Sequence, residues 1–312
     1  MAASALWLLA AVSRPASAQF GAPFLDVAHE PRALGMGAAM AAVADGPSAV
    51  FHNPAGLAAS RGRALSASYQ SLSLDRSVES LAGSMNLRGG LAFGLAWIHA
   101  GVDGLVSRTG AGDQIDGQIE DGQNAVLFAL GSELRPGLMV GVGIKILRHR
   151  IEVPFSGESS ASGRAWDVGA RYALGANTSF AVTIHNLMDQ LTWTVERNAE
   201  QTSRSEDEIG QTFSVAVAHR LVRSDRHLLI AADLQSAPHG TRAHVGAEAI
   251  LGPLIILRAG LHRIGDFDAT GQPAFGLSLQ PMRRREFTLH YSWVADELDA
   301  GARSLIGISS LF

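Results

Sequence analysis

The chain has 312 residues, of which 47% are hydrophobic and only 17% charged, with 34 glycines and a net charge of −4. Soluble domains carry about 25% charged residues, so this chain is poor in charge, and its mild negative balance gives no reason to expect a nucleic-acid partner. It contains no cysteine, which excludes disulfides, thiolate metal sites and cysteine nucleophiles.

Residues 2–12 form a short apolar run, followed by Ala16-Ser17-Ala18 and Gln19. This is the pattern of a signal peptide, here 1–18, with a small-residue cleavage site. Elsewhere no run reaches the roughly 18 apolar residues of a membrane-spanning helix.

Residues 19–62 form the second region. After a short lead, Gln19–Pro31, comes Ala33–Leu57, almost entirely small residues. Asp45 or Gly46 reads as a helix cap with Pro47 at the first helical position, predicting a turn over Pro47–His52. Pro54 disfavours helix at Asn53, so a bend is expected over Asn53-Pro54-Ala55-Gly56. The composition suits a segment packed against, or inside, a wall built by the rest of the chain.

From Arg63 to the end the hydrophobic period is two. Leu138, Val140, Val142, Ile144 and Ile146 share one face, and Met139, Gly141, Gly143, Lys145 and Leu147 the other. Strict alternation is the signature of strands. Fourteen such segments are counted, at about 63–74, 77–87, 90–100, 123–134, 138–149, 162–174, 178–187, 209–221, 226–236, 241–250, 254–263, 272–280, 285–295 and 302–312. Connections after even-numbered segments are short, as at Arg135-Pro136-Gly137 and Gly175-Ala176-Asn177. Those after odd-numbered segments are often long: Gly101–Gly122, Arg150–Ala161, Met188–Glu208 and Ile264–Gly271. An outer-membrane barrel has this asymmetry; a soluble sandwich has no reason for it. The expected fold is therefore all-β: a 14-stranded antiparallel transmembrane β-barrel over residues 63–312, with 19–62 as a lumenal plug. A soluble secreted β-protein is the remaining structural alternative.

The terminal segment, with Ile306, Ile308 and Phe312 on one face, resembles the C-terminal signal read by the bacterial barrel-assembly machinery. The pieces Arg32–Ala39, Ala42–Asp45 and Ser48–Leu57 together resemble the N-terminal signature of PorV/PorQ-type proteins, within the wider FadL-like superfamily of outer-membrane fatty-acid transporters. That resemblance implies a plug containing Gly35, Gly37, Asp45, Asn53, Pro54, Ala55 and Gly56. It also implies either passage of small hydrophobic molecules or, as an alternative, a cargo-docking or assembly role with type IX secretion proteins. Expected partners are outer-membrane lipid and a hydrophobic small-molecule ligand.

The alternation also turns a set of ionisable residues inward: Lys145, Asp167, Arg171, His185, Asp233, Arg242, His244, Glu248, Arg258, His262 and His290. They form either a substrate or gating network or a hydrated interior with charge pairs. Trp97, Trp166, Tyr172, Tyr291 and Trp293 are expected in an interfacial girdle. Gly35-Met36-Gly37 lacks the third glycine of a dinucleotide loop, no Gly-x-Ser-x-Gly elbow is present, and the acidic loop residues, Glu206-Asp207-Glu208 above all, lack EF-hand spacing. No cofactor, metal site or enzymatic activity is expected.

Overall fold

The computed structural model describes residues 21–312 except 61, 103, 109–113, 154–156, 199–200, 224–225, 239, 266–270, 282–286 and 296–301. The predicted signal peptide, 1–18, lies outside the described residues, as does most of the predicted loop Ile264–Gly271.

Fourteen antiparallel strands close into a barrel. They are β1 (Arg63–Ser71), β2 (Arg76–Asn86), β3 (Leu91–Val102), β4 (Glu120–Arg135), β5 (Leu138–Val153), β6 (Gly157–Leu174), β7 (Thr178–Asn198), β8 (Thr212–Arg223), β9 (Arg226–Ala237), β10 (Gly240–Leu251), β11 (Ile255–Ile264), β12 (Gln272–Leu279), β13 (Phe287–Ala295) and β14 (Ala302–Leu311). Each strand pairs with the next, and β14 pairs with β1 from Leu311↔Ala64 to Ser304↔Ser71. At the seam Arg63 and Phe312 exchange both backbone hydrogen bonds, at 3.3 and 2.7 Å. Closure leaves no unpaired edge, which is what a sheet in lipid requires.

The alternation sorts side chains by face. Leu65, Leu81, Trp97, Phe128, Val142, Ile146, Trp166, Phe180, Leu257 and Tyr291 point outward and are exposed. Their strand neighbours Ala96, Leu127, Lys145, Asp167 and Arg258 point inward and are buried. Water does not tolerate an apolar surface on this scale around a whole molecule; lipid does. An even number of strands is the bacterial pattern, and the barrel belongs in the bacterial outer membrane. Trp97, Trp166, Tyr172 and Tyr291 lie on the outer wall, and Trp293 stacks on Phe275 with centroids 6.1 Å apart.

The connections correct the sequence reading at two places. The predicted loop Arg150–Ala161 is largely strand, because β5 and β6 stay paired out to Val153↔Gly157. Most of Met188–Glu208 is strand too: β7 runs to Asn198, and Gln201–Asp207 folds back on it. These extensions stand beyond the apolar belt. Their outward side chains are polar, so the two-period hydrophobic signal stops while the hydrogen-bond ladder continues. In the connection after β3, Val106–Arg108 pairs with Gln114–Gln118 as a separate small hairpin.

A wall of fourteen strands is too wide to be filled by its own inward side chains. Residues 21–60 occupy the space. Their chain runs through short turns, 3₁₀ over Pro23–Asp26, helical over Pro31–Gly35, 3₁₀ over Gly46–Ser48, helical over Ala49–His52 and 3₁₀ over Pro54–Ala59. The predicted turn is thus present, but the predicted bend at Asn53–Gly56 continues as a further 3₁₀ turn. Asn53 is extended and caps it by accepting the Ala55 N–H at 3.0 Å.

The wall meets this segment with glycine. A Cβ on Gly131 of β4 would sit 3.0 Å from the Leu57 Cβ, and one on Gly276 of β12 would sit 3.2 Å from the Gly35 Cα. On Gly141 of β5 it would collide with the Pro54–Ala55 peptide. These glycines are there for close approach of one backbone to another. We expect Gly141→Val to destabilise the folded barrel by about 1–3 kcal/mol, the usual range for overpacking. Gly143→Ala on the same strand, whose nearest atom is 3.4 Å away, should be tolerated. Equilibrium urea unfolding in detergent, monitored by heat-modifiable gel mobility, distinguishes the two.

Candidate functional site

The inner segment has little regular helix, so its backbone donors and acceptors need partners from the wall. The wall supplies them with side chains. Asp233 of β9 accepts the N–H groups of Met40 and Ala41, both at 2.9 Å. His244 of β10 lies 2.9 Å from the Gly37 carbonyl. Ser179 of β7 donates to the Ala42 carbonyl at 2.8 Å, and Arg171 of β6 to the Ala44 carbonyl at 3.2 Å. Ser68 and Ser80, on β1 and β2, both donate to the His29 carbonyl at 2.6 Å. Within the segment, Asn53 donates to the Ala41 carbonyl at 2.8 Å, tying its two halves together.

Gly35 and Gly37 are the segment's points of closest approach to β12 and β11. Gly37 has φ of +60°, and a Cβ there would lie 2.7 Å from Leu261 backbone. Asp45 takes the N-cap position of the Gly46–Ser48 turn, but its side chain makes no cap bond and pairs instead with Arg32 at 2.9 Å. Pro54, Ala55 and Gly56 are buried against β4 to β6.

The lumen has two chemically different sides. On β9 to β14 the inward residues include an ionic and hydrogen-bonded series, set among apolar Leu229, Ala231, Ala274, Val294 and Leu305. Arg32 of the segment grips Glu248 with two bonds of 3.0 Å. Arg258 donates to the same carboxylate at 2.7 Å and to Ser278 at 2.5 Å. Ser278 lies 2.6 Å from the His290 Nδ1, whose Nε2 is 2.8 Å from the Ser309 hydroxyl. Arg258 and His262, which share a face, do not meet: His262 turns to Gln272 at 3.3 Å and to the His244 ring, 5.0 Å between centroids. Arg242 is buried nearby.

On β2 to β7 the inward surface carries a large apolar stretch beside the polar Ser80, Lys145, Asp167, Arg171, Ser179 and His185. Val78, Ile98, Ala125, Leu127, Leu147, Ala161 and Leu191 form one cluster with Ala22, Phe24, Phe51 and Ile209, extended by Leu25, Val27 and Trp193. The lead Gly21–Val27 lies along this surface, and the Gly21 N–H donates to the Glu208 carbonyl at 2.8 Å. That bond holds the lead at the end of the barrel where the long connections lie.

One break interrupts the wall on this side. Between β6 and β7 the register passes from Arg164↔Gln190 to Trp166↔Leu187 and then to Val168↔Ile184. Two steps of two residues on β6 are thus matched by two steps of three on β7, and Asn186 and Met188 have φ of +57° and +50°. Two consecutive bulges re-aim side chains and loosen pairing. Polar groups close the gap from inside. Asp167 accepts the Asn186 N–H at 3.0 Å and pairs with Lys145 at 3.0 Å and His185 at 3.2 Å. Lys145 also donates to Asn186 Oδ1 at 2.7 Å, and His185 reaches the His52 carbonyl at 3.1 Å. The seal of the bulge therefore touches the inner segment directly.

A cavity of about 120 Å³ remains above the segment, lined largely by polar and ionisable groups. A second cavity, of about 250 Å³, lies between Glu30–Arg32 and Asp45–Ser48 of the segment and β1, β13 and β14; a dry apolar cavity of about 150 Å³ is enough to bind benzene. Among the described residues, no group of three or more His, Asp or Glu side chains has the arrangement to hold a metal ion.

Arg32, Glu30, His29 and Asn186 are site residues that the sequence reading did not single out. A signal for Arg32 existed: it is the sole Lys or Arg between residues 19 and 60, and a lone buried arginine requires an acid. Asn186 had no signal, because nothing in the alternation of 178–187 announces a bulge.

Burial pushes Glu30 upward, but bonds and charge from His52, Ser48 and Arg32 overcome it and hold the carboxyl below its ordinary value. Burial, with His52 in the same direction, lowers His29 to about 3. Both shifts have the same consequence. Glu30 stabilises the docked segment above about pH 4.5, its ordinary value, and loses that effect as pH falls through its lower folded value. His29, ordinarily 6.5, opposes docking increasingly as pH falls from 6.5 toward 3.

Comparison with known proteins places the fold. No protein-family model matches the chain, and no curated protein matches it. The toluene transporter TbuX of Ralstonia pickettii superposes with a TM-score of 0.65 at 16% identity, over 91% of this chain and 98% of that one. A FadL homologue of Pseudomonas aeruginosa gives 0.60 at 10% identity, over 95% and 99%. The toluene transporter TodX of Pseudomonas putida gives 0.57 at 13% identity, over 89% and 95%. At these identities the likeness is one of fold. The PorV/PorQ resemblance remains carried by the N-terminal motif alone.

Removing one member of a buried ion pair costs about 3–5 kcal/mol. Arg32→Met should therefore lower the unfolding free energy by that order and open an ion leak at pH 7 in planar bilayers. The native protein should be silent at pH 7 and begin to leak below about pH 4.5, where Glu30 loses its stabilising effect and His29 already opposes docking. Leak currents independent of pH and of Arg32 would mean that these contacts do not hold the segment.

Proposed function

We propose that the chain is an outer-membrane channel for small hydrophobic molecules, with residues 21–60 as its stopper. The observation that carries this reading is the apolar surface on β2 to β7, occupied by Gly21–Val27. A porin lumen is polar; here a stretch of it, running from Val78 through Ile98 and Leu127 to Leu191, is apolar. The fold shared with two toluene transporters supports a hydrophobic solute.

A small apolar molecule arriving from the outside competes with Phe24, Leu25 and Val27 for the same surface. The lead is the element that yields, since among the described residues it is held to the wall by one backbone bond and apolar contact, whereas Arg32 and Asp233 fix the rest. Once inside, the molecule lies next to the double bulge of β6–β7. Rearrangement of the Lys145–Asp167–Asn186 seal, which His185 links to the segment, opens a path sideways into the membrane. The solute then never crosses the ionic half of the lumen. The alternative of a secretion partner rests on the motif alone.

The test is uptake of radiolabelled toluene by a Gram-negative host lacking its own hydrophobic-compound channels. Deleting residues 21–27 should raise uptake several-fold. Deleting Met188, an unpaired residue of the bulge between Leu187 and Gln190, should lower it several-fold while the barrel still folds. Uptake no greater than in cells without the protein, or indifferent to both deletions, would sink the reading.

A further inference from the structure

The outer wall changes character abruptly on three adjacent strands. Going outward along β5, exposed or half-exposed Val142, Ile144 and Ile146 give way to Arg148, Arg150 and Glu152. On β6, Val168 and Trp166 give way to Arg164, Ser162 and Ser160, and on β7 Met188 gives way to Gln190, Thr192 and Thr194. Register puts these changes side by side, through the pairs Ile146↔Arg164, Arg148↔Ser162, Arg164↔Gln190 and Ser162↔Thr192. The line they trace is the outer rim of the apolar belt, marked by Trp166 and by Trp97, which donates to Asn124 beside Arg148.

Three arginines stand on or near this rim, and they are not equivalent. Arg150 is held by Glu158 at 2.9 Å and Glu152 at 3.1 Å. Arg148 and Arg164 are exposed and have no hydrogen bond or ion pair among the described residues. They are diagonal neighbours across β5 and β6, about 7–8 Å apart at the backbone, so their side chains can close on one group between them. Beside Arg148 is a hollow of about 320 Å³ lined by Arg148, Arg150, Ser160, Ser162, Thr192 and Thr194, with Glu158, bound to Arg150, also in its lining. Arg164 stands next to Ser162 on the membrane side of the hollow. Four hydroxyls and two free guanidinium forks are donors suited to a phosphate.

We propose that this face of β5–β7 binds a phosphorylated lipid headgroup of the outer leaflet, with Arg148 and Arg164 as its anion ligands. The position selects lipid over free anion. The hollow faces sideways from the wall, directly above apolar side chains that acyl chains cover, at the level where headgroups begin. On the side away from the membrane Glu152 and Glu158 repel an anion arriving from water. The contact goes beyond transport: it ties the tall side of the barrel, beside the β6–β7 bulge, to the surrounding lipid.

The test uses the purified full chain in neutral detergent, titrated with bisphosphorylated lipid A, with the same glycolipid after phosphate removal, and with inorganic phosphate, and followed by native mass spectrometry. The native chain should retain bisphosphorylated lipid A, and R148Q/R164Q should weaken retention at least tenfold, with R148K/R164K intermediate. E152Q/E158Q, which releases Arg150 and removes two repelling charges, should tighten it. Heat-modifiable mobility verifies that each variant is folded. Equal retention by native chain and R148Q/R164Q would overturn the proposal, as would equal retention of the dephosphorylated lipid. Binding of inorganic phosphate as tight as that of lipid A would reassign the patch to a free anion and overturn it too.

Discussion

A fourteen-stranded wall encloses more space than its own side chains fill, and that single excess governs the rest of the molecule. Something must occupy the lumen without leaving backbone amides and carbonyls unpaired in a dry place. A long helix would satisfy its own backbone, but a single helix already fits an 11-stranded can and would leave part of this wider lumen empty. The chain instead uses a thin, irregular segment of alanine, glycine and methionine. The wall then provides what a helix would have provided internally: Asp233 for two amides, and Ser179, Arg171, Ser68 and Ser80 for carbonyls. Inward glycines such as Gly131, Gly141 and Gly276 bring backbone close enough for these bonds to form.

The same division between what is fixed and what can yield recurs across the lumen. On β9 to β14 the segment is anchored by charge, through Arg32, Glu248 and Arg258. Such a network is demanding, since breaking one member strands a buried charge. On β2 to β7 the contacts of the lead Gly21–Val27 are largely apolar and without direction, so another apolar molecule can replace them at little cost. A lumen polar on both sides would exclude a hydrophobic solute, and one apolar on both sides would give the stopper no unique position. The double bulge of β6–β7 falls beside the apolar half, where the segment's grip is weakest in specific contacts.

Much of the wall was legible in the sequence because lipid on one side and a lumen on the other impose strict alternation. Trp166-Asp167-Val168-Gly169 can be read by face without any structure, and both faces lie as the period says. Strand ends were less legible where β5, β6 and β7 rise above the belt. There the outward face is polar, so Glu158-Ser159-Ser160 reads as loop although its ladder is intact. The inward ionisable residues were identifiable as inward, but not as pairs. Glu248 and Arg258 lie on adjacent strands and meet directly, whereas Arg32 reaches Glu248 from 216 positions away, a meeting that no periodicity encodes.

The sequence by itself determined the number of strands, which side of each faces lipid, and the small-residue composition of Ala33–Leu57, because these follow from local spacing and from side-chain size. Only the tertiary structure decided that the lumen carries an ionic series along one half and an apolar stretch along the other, that Gly21–Val27 lies on the apolar stretch, and that β7 carries two extra residues at Asn186–Met188. Those features depend on which strands become neighbours around the closed wall. A period of two describes each strand alone and is silent about the register between them.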